Sequence, residues 1–413
     1  MSGMKGGAFG KRTIRDVPLD GAIVLVRADY NVPQADDGSI DDDFRLKASL
    51  PTLRYLIARQ CRVIICAHLG RPEGQNDDRF SLESVAERLG QLLGQPVRFV
   101  PDCVGDRVTQ AVKRTRPGEV VLLENLRFHA EEEANDPVFA KALATSSGAT
   151  YFVQDGFGVV HRAHASTDAI THYLPGVAGL LLEREVLAIH GALEKPKRPL
   201  VAVLGGAKVS DKIEVVERFI ALADHIVIGG AMANTFLAYK GLPVGTSKCE
   251  TDMNGVMKKI YTAAEKKVGQ AAIADFLLLP TDVAVAASPS ATARRTVVTV
   301  QEVSDSEMIL DIGPSSIDRA VAVVQAAGTV VWNGTLGYAE LPQFAHGSAR
   351  VALALATHPD VTSVIGGGDT ADFVLDWDGA NGASFSHVST GGGASLDLMA
   401  GKPMPGIDAL LDV

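Results

Sequence analysis

Short apolar runs rich in Val, Ile and Leu recur along almost the whole chain, separated by patterns with apolar residues at helical spacing. Because these runs lack polar alternation, they are typical of strands covered on both faces, as in a parallel sheet. Strand and helix repeated in this way favour a doubly wound α/β architecture. We predict strands at residues 22–26, 62–67, 120–123, 150–153, 200–204, 225–228, 276–279, 329–332 and 362–365.

The chain has 413 residues, more than one ordinary hydrophobic core holds, so two domains of about 200 residues each are expected. Residues 180–193 have a helical pattern, and the charged, proline-containing segment 194–199 follows them. Proline interrupts helices, so this segment predicts a domain boundary. We therefore predict domains at residues 1–190 and 191–399, each with a mostly parallel sheet flanked by helices, joined by a hinge helix.

Charge and composition exclude several classes of function. A net charge of −10 argues against nucleic acid or an anionic membrane as the main partner, because both would be repelled. No apolar run reaches the roughly 18 residues of a membrane span, and the first residues lack a signal-peptide core. We expect Cys61 and Cys66 to be buried thiols and not metal ligands. Together these features predict a cytoplasmic protein.

In the second half of the chain, apolar strands repeatedly end in glycines that precede a helical pattern. Glycine at the carboxyl end of a parallel strand lets a ligand approach the backbone, and the next helix offers free N–H groups to an anion. One such segment is most often only a tight turn, whereas four in one half indicate a nucleotide site at this edge of the sheet. The segments are residues 203–208, 228–232, 364–370 and 388–395.

The glycine segments match neither of two common nucleotide motifs. The chain contains no Gly-x-x-x-x-Gly-Lys-[Ser/Thr] sequence of a P-loop and no Gly-x-Gly-x-x-Gly dinucleotide fingerprint. Lys208 and Lys212 accompany one segment, and Asp369 with Thr370 belongs to another. These polar groups favour a nucleotide site over a set of simple turns.

The first half has few glycine loops but carries basic residues beside predicted strand ends. The planar guanidinium group of arginine donates two parallel hydrogen bonds to carboxylate or phosphate oxygens. One such arginine is most often a solvated surface residue, whereas five at separate positions in an acidic protein indicate a pocket for a small polyanion. They are Arg27 (near Asp29 and Asn31), Arg45, Arg71 (near His68), Arg127 and Arg162 (between His161 and His164).

A polyanion pocket in one half and a nucleotide site in the other favour phosphoryl transfer. This reaction needs positioning and charge neutralisation more than a covalent protein nucleophile. A metal ion on the phosphates, basic side chains around the migrating group and helix N-termini would supply both. If the substrates bind to separate domains, closure must bring them into line and expel water, since ATP would otherwise be hydrolysed.

Blocks along the chain resemble those of the phosphoglycerate kinase family and follow in the family's order from about residue 11 to the end. Ordered agreement over that length makes the resemblance specific. The blocks are VRADYNVP (26–33), HLGRP (68–72), ENLRF (124–128), GGAKVSDK (205–212), WNG (332–334), GGGDT (366–370) and STGGGAS (389–395).

The resemblance implies reversible transfer between ATP and the carboxylate of 3-phosphoglycerate, giving ADP and 1,3-bisphosphoglycerate, with Mg²⁺ on the nucleotide. This is a step of glycolysis and gluconeogenesis, and the resemblance further implies a monomer. The segment 400–413 would return to the N-terminal domain. By motif position, the residues that would hold 3-phosphoglycerate are Asp29, Asn31, Arg45, His68, Arg71, Arg127 and Arg162.

By the same resemblance, the C-terminal domain would hold the nucleotide, with Lys208 and Lys212 on its phosphates, Asp369 on Mg²⁺ and Glu340 on the ribose. The other nucleotide-binding residues would be Gly206, Ala207, Gly229, Gly230, Asn333, Gly367, Gly368 and Thr370. The catalytic set would be Arg45 and Lys212, which stabilise the transferring group, with Gly391 and Gly392, whose N–H groups face it.

Some positions differ from the usual pattern of the family. Thr335 replaces a proline near the nucleotide cleft, which removes a fixed φ and should loosen that turn. None of the differences removes a charged group named above, so we expect them to affect nucleotide affinity and rate more than the reaction itself. The differing positions are Gln154, Val159, Val160, Thr335, Ala339 and Ser348.

Alternative interpretations remain for single residues and for the whole chain. His161 and His164 could pack and not bind, Glu340 could be a solvated carboxylate, and Asp29 could form a turn. A nicotinamide dehydrogenase would share the architecture, but it should carry the dinucleotide fingerprint. A non-catalytic relative would have lost some of the charged residues or the glycine block named above, and all of them are present.

Overall fold

The computed structural model describes residues 9–35 and 37–413, and within them the chain forms two compact units. One unit contains the described residues up to Leu187 together with Pro403–Val413, and the other contains Ala188–Lys402. The predicted divisions after residues 190 and 399 lie close to these limits. Among the described residues, no helix combines the length and the apolar character that crossing a membrane requires.

Strands and helices alternate along most of the chain. The strands are β1 (Ile23–Arg27), β2 (Arg62–Cys66), β3 (Val97–Val100), β4 (Val120–Leu123), β5 (Tyr151–Gln154), β6 (Gly176–Ala178), β7 (Leu200–Leu204), β8 (His225–Ile228), β9 (Leu277–Leu278), β10 (Asp282–Ala286), β11 (Thr296–Thr299), β12 (Met308–Ile312), β13 (Thr329–Asn333), β14 (Thr362–Gly366) and β15 (His387–Val388). The helices are α1 (Phe44–Ala58), α2 (Glu83–Leu93), α3 (Asp106–Lys113), α4 (Ala130–Glu133), α5 (Pro137–Ser147), α6 (Leu180–Glu194), α7 (Ile213–Leu222), α8 (Gly230–Tyr239), α9 (Asn254–Val268), α10 (Ile273–Phe276), α11 (Pro314–Gln325), α12 (His346–Ala356), α13 (Gly368–Asp378), α14 (Gly393–Ala400) and α15 (Pro405–Asp408).

The first unit contains a six-stranded parallel sheet with the order β3-β4-β2-β1-β5-β6. Strand residues Val26, Ile65 and Val153 are fully buried in one apolar cluster with Leu53 of α1 and Leu89 of α2. The chain leaves β1 to form β2 on one side and later adds β5 on the other side. This reversal creates a crevice at the carboxyl ends of β1 and β5, which is where open α/β sheets bind ligands.

The end of the chain belongs to the first unit. Leu411 accepts a backbone hydrogen bond from Arg12 (2.8 Å) and donates one to Gly176 (2.9 Å), and Gly406 donates one to Val160 (2.9 Å). These bonds lie within residues 403–413, slightly shorter than the predicted segment 400–413. Helix α6 contains the limit between the units at Leu187, and its function as a hinge stays a prediction.

The second unit contains a six-stranded parallel sheet with the order β15-β14-β13-β7-β8-β9. Its strand β7 lies between β13 and β8. The chain adds β8 and β9 on one side of β7 and later adds β13, β14 and β15 on the other side, so the strand order reverses at β7. A separate antiparallel sheet with the order β11-β10-β12 is an addition that the sequence interpretation lacks. The prediction of an α/β protein with two domains of mostly parallel sheet is confirmed.

Candidate active site

In the first unit, most of the residues that we predict to bind a polyanion follow the carboxyl ends of the adjacent strands β4, β2, β1 and β5. Parallel strands present these ends at one edge of the sheet, so residues from distant parts of the sequence share one region. Asp29 and Asn31 follow β1, His68 and Arg71 follow β2, Arg127 follows β4, Arg162 follows β5, and Arg45 belongs to the first turn of α1.

Asp29 connects three of these residues. Its Oδ1 accepts a hydrogen bond from the backbone N–H of Asn31 (3.2 Å). The same oxygen lies 3.7 Å from Nη1 of Arg45 and 3.9 Å from Nδ1 of His68. Arg45 also donates a hydrogen bond to the backbone carbonyl of Asn31 and keeps 26% of its side chain exposed. Asp29 therefore forms a turn and also orients the partly exposed guanidinium group of Arg45.

Gly70 connects Asn31 with Arg127. The Gly70 N–H donates to Oδ1 of Asn31 (2.8 Å), and the Gly70 carbonyl accepts from Nη1 of Arg127 (2.8 Å). The other end of this guanidinium group lies 3.1 Å from Oε1 of Glu133, and the Arg127 side chain is 5% exposed. Gly70 has φ +61°, and a Cβ atom there would lie 2.3 Å from the Phe80 ring, so this position requires glycine.

Arg27 differs from the other arginines of the predicted pocket because its side chain is fully buried. Its Nε donates to Oγ of Ser166 (2.7 Å), and its Nη2 lies 3.9 Å from Oε1 of Glu132. Glu132 is equally buried and accepts hydrogen bonds from the Ser166 hydroxyl (2.6 Å) and N–H (3.0 Å). Burial raises the pKa of Glu132, and the charge of Arg27 opposes that shift. Arg27 therefore belongs to a buried layer, with Ser166 and Glu132, that supports the site residues.

The two buried histidines of the first unit are neutral at physiological pH. Burial lowers the pKa of His68 well below its usual range, and the nearby charge of Arg27 acts in the same direction. Burial lowers the pKa of His164 to about 3, again with Arg27 adding to the shift. His164 lies 3.9 Å from Oε1 of Glu132, which supports the packing interpretation for this residue. The positive charge of the region therefore comes from guanidinium groups.

Arg71 and Arg162 are exposed, whereas Arg127 and His68 are buried. Long exposed side chains can reorient towards a bound anion, while buried, hydrogen-bonded ones hold a fixed geometry. The edge therefore combines fixed and adjustable donors, which suits a small ligand with two anionic ends.

In the second unit, the glycine loops interlock through their backbones. The Gly206 N–H donates to the Thr335 carbonyl (3.0 Å), the Gly230 N–H donates to the Leu336 carbonyl (2.8 Å), and the Met232 N–H donates to the Gly206 carbonyl (2.9 Å). Gly230 has φ +62°, and a Cβ atom there would lie 2.7 Å from the nitrogen of Gly206. Side chains cannot enter these contacts, so the glycines are required by close backbone approach.

Two positions that differ from the family pattern lie in this network. The Thr335 hydroxyl donates to the Gly337 carbonyl (3.0 Å), so a side-chain hydrogen bond now constrains the turn that lacks the proline. The hydroxyl of Ser348 accepts a hydrogen bond from the Leu336 N–H (2.9 Å). The turn is thus more constrained than the loss of a proline alone implies.

Lys212 lies at the carboxyl ends of β7 and β13, beside the reversal of strand order. Its Nζ donates to the carbonyls of Gly205 (2.7 Å) and Asn333 (3.3 Å). Burial lowers the pKa of Lys212 to about 8, although the carboxylates of Asp369 and Asp211 oppose the shift. The ammonium group of Lys212 therefore binds backbone carbonyl oxygens, and the oxygens of an incoming phosphate can replace these carbonyls as its hydrogen-bond acceptors.

Asn333 and Thr370 join the loop after β13 to the loop after β14. Nδ2 of Asn333 donates to the Gly366 carbonyl (2.8 Å), and the Thr370 hydroxyl accepts from the Gly334 N–H (2.6 Å). Oδ1 of Asn333 is buried and has no hydrogen-bond partner among the residues that the structure describes. A buried acceptor without a partner is costly, so it favours a donor from a ligand or from water.

Ser395, which the sequence interpretation did not single out, connects the last two glycine segments. Its hydroxyl accepts from the Gly367 N–H (3.1 Å) and donates to the Gly392 carbonyl (2.7 Å). Gly392 has φ +51° and precedes α14, so the N–H groups of the 391–393 segment lie at a helix N-terminus. Such groups bind anions well.

Glu250 is a further residue that the sequence interpretation missed. Its Oε2 accepts hydrogen bonds from the backbone N–H groups of Val209 (2.6 Å) and Ser210 (3.1 Å), and the Ser210 hydroxyl donates to Oε1. These bonds hold the segment that joins Lys208 to Lys212. No local sequence pattern predicts the function of Glu250, because its hydrogen-bond partners are about 40 residues away in the sequence.

Asp369 is exposed in the first turn of α13, and the described residues contain no group of three His, Cys, Asp or Glu side chains that could hold a metal ion. A magnesium ion held by one carboxylate and by substrate phosphates needs no such group. Asp369 therefore fits a metal that arrives with a nucleotide. Lys208 and Glu340 are also exposed, and both interpretations of Glu340 remain open.

Two α/β units that each carry a candidate anion-binding edge, one lined by guanidinium groups and one by glycine loops, are typical of a phosphotransferase that acts on small molecules. Identity within that class comes from sequence comparison. A family model described as phosphoglycerate kinase matches residues 14–402, so the chain belongs to the phosphoglycerate kinase family.

Individual relatives agree with this assignment. A curated phosphoglycerate kinase from Pelotomaculum thermopropionicum is 46% identical over 402 residues, covering 97% of this chain and 99% of the relative. The solved phosphoglycerate kinase of Coxiella burnetii has a TM-score of 0.82 at 37% identity, covering 97% of this chain and 98% of that one. The enzyme from Pyrococcus horikoshii has the same TM-score at 32% identity. The prediction of an ATP-dependent kinase of this family is confirmed.

Proposed function

We propose that this chain catalyses reversible, direct in-line phosphoryl transfer between MgATP and the carboxylate of 3-phosphoglycerate, as a cytoplasmic monomer. The observation that carries the proposal is the pair of chemically different anion edges, one in each unit. Family membership supplies the identity of the two substrates.

In this proposal, the first unit binds 3-phosphoglycerate. The exposed arginines Arg71 and Arg162 and the buried Arg127 neutralise a ligand that carries a phosphate and a carboxylate. Neutral His68 donates or accepts one hydrogen bond and adds no charge. Arg45 serves the reacting end, because its guanidinium group is oriented by Asp29 and still partly open.

The second unit binds the nucleotide in this proposal. Phosphates lie over the N–H groups of the glycine loops, with Lys208 and Lys212 in contact, and Thr370 beside them. Asp369 would hold Mg²⁺, which neutralises phosphate charge when bound. The unpartnered Oδ1 of Asn333 supports a ligand in this region.

Transfer then requires little covalent help from the protein. Arg45, Lys212 and the N–H groups of Gly391 and Gly392 stabilise the negative charge on the equatorial oxygens of the transferring group. Lys212 contributes as a cation, so it must keep its proton. Closure of the units excludes water, which would otherwise accept the phosphoryl group.

The test is a coupled assay that follows ADP formation with MgATP and 3-phosphoglycerate, with the acceptor omitted in a parallel reaction. We expect ADP formation that depends on both the acceptor and Mg²⁺. ADP formation that is equal without the acceptor, or no turnover with it, would contradict the proposal.

A further inference from the structure

A cavity of about 390 Å³ lies between strand β3 and helix α3 in the first unit, on residues that the candidate active site does not use. β3 is the outermost strand of its sheet, and no strand in the described part of the chain pairs with its outer edge. A cavity of this size is at the lower end of the range for small-molecule sites, about 300–1,000 Å³.

Three arginines line this cavity. Arg98 extends from β3, and Arg107 and Arg114 lie seven positions apart at the two ends of α3. On a helix, positions 107, 110, 111 and 114 share one face, and all four line the cavity. The opposite face carries the buried Val108 and Val112, which fix the orientation of α3.

These arginines lack acidic partners. No ion pair found in residues 9–35 and 37–413 includes any of the three, and Arg98 only donates a long hydrogen bond (3.4 Å) to a backbone carbonyl. Some other arginines of the same unit are paired, for example Arg59 with Asp20 and Arg88 with Asp43. Unpaired like charges around one cavity repel one another, and a bound anion would relieve that repulsion.

The rest of the lining limits the chemistry of the ligand. Phe99 and Pro101 provide apolar surface, and Gln110 provides an amide that can donate or accept. A phosphate group carries a charge of about −1.5 to −2 at neutral pH, and the arginine fork matches its oxygens. We propose that this cavity binds a small phosphorylated molecule with at least two negative charges, through Arg98, Arg107 and Arg114.

Pyrophosphate is the probe for a test by isothermal titration calorimetry. The full-length protein is first saturated with 3-phosphoglycerate and MgADP, which occupy both anion edges of the candidate active site. We expect one binding event whose affinity decreases as salt is added. The double substitution R107Q/R114Q should weaken it by about tenfold or more, because it removes two charge-assisted contacts.

The matched control is K113Q/R116Q, which removes two positive charges from the same segment at exposed positions outside the cavity lining. This control should bind pyrophosphate within about twofold of the wild type, which is well inside one tenfold step of 1.4 kcal/mol. Both variants should keep kinase activity, which shows that they fold. Equal losses in the two variants would indicate a diffuse charge effect and overturn the proposal, as would unchanged binding by R107Q/R114Q.

A second arm separates a free ligand from a lipid headgroup. The wild-type protein is sedimented with vesicles of phosphatidylcholine that contain a phosphoinositide. Binding to these vesicles together with pyrophosphate binding would support the shared phosphate chemistry. Vesicle binding without any pyrophosphate event, or no binding of either, would overturn the proposal of a small-molecule site.

Discussion

The two candidate anion-binding edges use the same sheet geometry but opposite chemistry. In the first unit, charged side chains converge, and a buried layer with Arg27 and Glu132 supports them. In the second unit, backbone N–H groups in glycine loops converge, and Lys212 supplies a partly buried cation. Guanidinium groups select a compact ligand with localised charge, whereas backbone donors follow an extended chain of phosphates. The comparison predicts that mutations in the two units separate substrate binding from nucleotide binding.

The largest effect is expected for the groups that stabilise the transferring phosphoryl group from each side. Arg45→Ala and Lys212→Ala should each lower kcat about 10²–10³-fold, equivalent to about 2.7–4 kcal/mol, because each removes one charge that acts in the transition state. Nucleotide affinity, measured by equilibrium titration, should change much less. A variant with near wild-type kcat would refute that residue's assignment.

The support layer of the first unit gives the next largest effect. Glu132→Gln leaves Arg27 buried without its counter-charge and should lower the free energy of unfolding by about 3 kcal/mol. The KM for 3-phosphoglycerate should rise, while nucleotide affinity stays unchanged. Chemical denaturation and steady-state kinetics measure both, with the exposed neighbour Glu131→Gln as the control. Equal behaviour of the two variants would contradict the support function.

Substitutions at two glycines of the second unit distinguish the effect of backbone strain from the effect of close atomic contact. Gly230 and Gly241 both have positive φ, but only at Gly230 would a Cβ atom meet other atoms. Gly230→Ala should raise the KM for MgATP about tenfold or more, a loss of about 1.4 kcal/mol, without changing the KM for 3-phosphoglycerate. Gly241→Ala should keep both KM values, and a similar rise in this control would show that strain alone explains the effect.

Glu250 tests whether the lysine segment must be held. Glu250→Gln converts charge-assisted hydrogen bonds to the Val209 and Ser210 N–H groups into weaker neutral ones, a loss of about 1 kcal/mol. The KM for MgATP should therefore rise about fivefold. The exposed neighbour Asp252→Asn serves as the control. An unchanged KM in the Glu250 variant would contradict the proposal that Glu250 holds the lysine segment for nucleotide binding.

The smallest expected effect, up to about pH 8, is a pH dependence from the second unit. Lys212, whose pKa is lowered to about 8 by burial, is charged below that pH and neutral above it. The kcat/KM for MgATP, which reports groups of the free enzyme, should therefore fall as pH rises through about 8. Lys212→Arg should shift this decline to higher pH, because arginine keeps its proton. A profile that is flat to pH 9 would contradict the titration of Lys212.

Much of the fold could be predicted because buried parallel strands produce continuous apolar runs. Every predicted strand occurs within one residue of its expected limits, including 200–204 and 225–228. Strand β3 was missed because Arg98 interrupts its apolar pattern at a sheet edge, and β15 has only two residues. The antiparallel sheet was missed because its outer strand β11 is largely exposed and lacks a buried core pattern.

The candidate site was predictable only where a charged residue or a glycine segment stands out in the local sequence. Arg45 and Lys212 could be singled out from residue type and position, but the burial of Arg27 depends on Ser166 and Glu132, which are distant in sequence. Ser395 and Glu250 act through backbone groups of remote loops. Contacts of this kind have no local signature, so only the folded chain identifies them.

The central claim is that each substrate has its own unit, and the most direct test is a crystal structure with 3-phosphoglycerate and a non-hydrolysable MgATP analogue bound together. We predict that the acid lies on the guanidinium edge after β1, β2, β4 and β5, and that the analogue's phosphates lie on the glycine loops with Lys212 in contact. Both ligands on one unit, or Arg45 turned away from either, would contradict it.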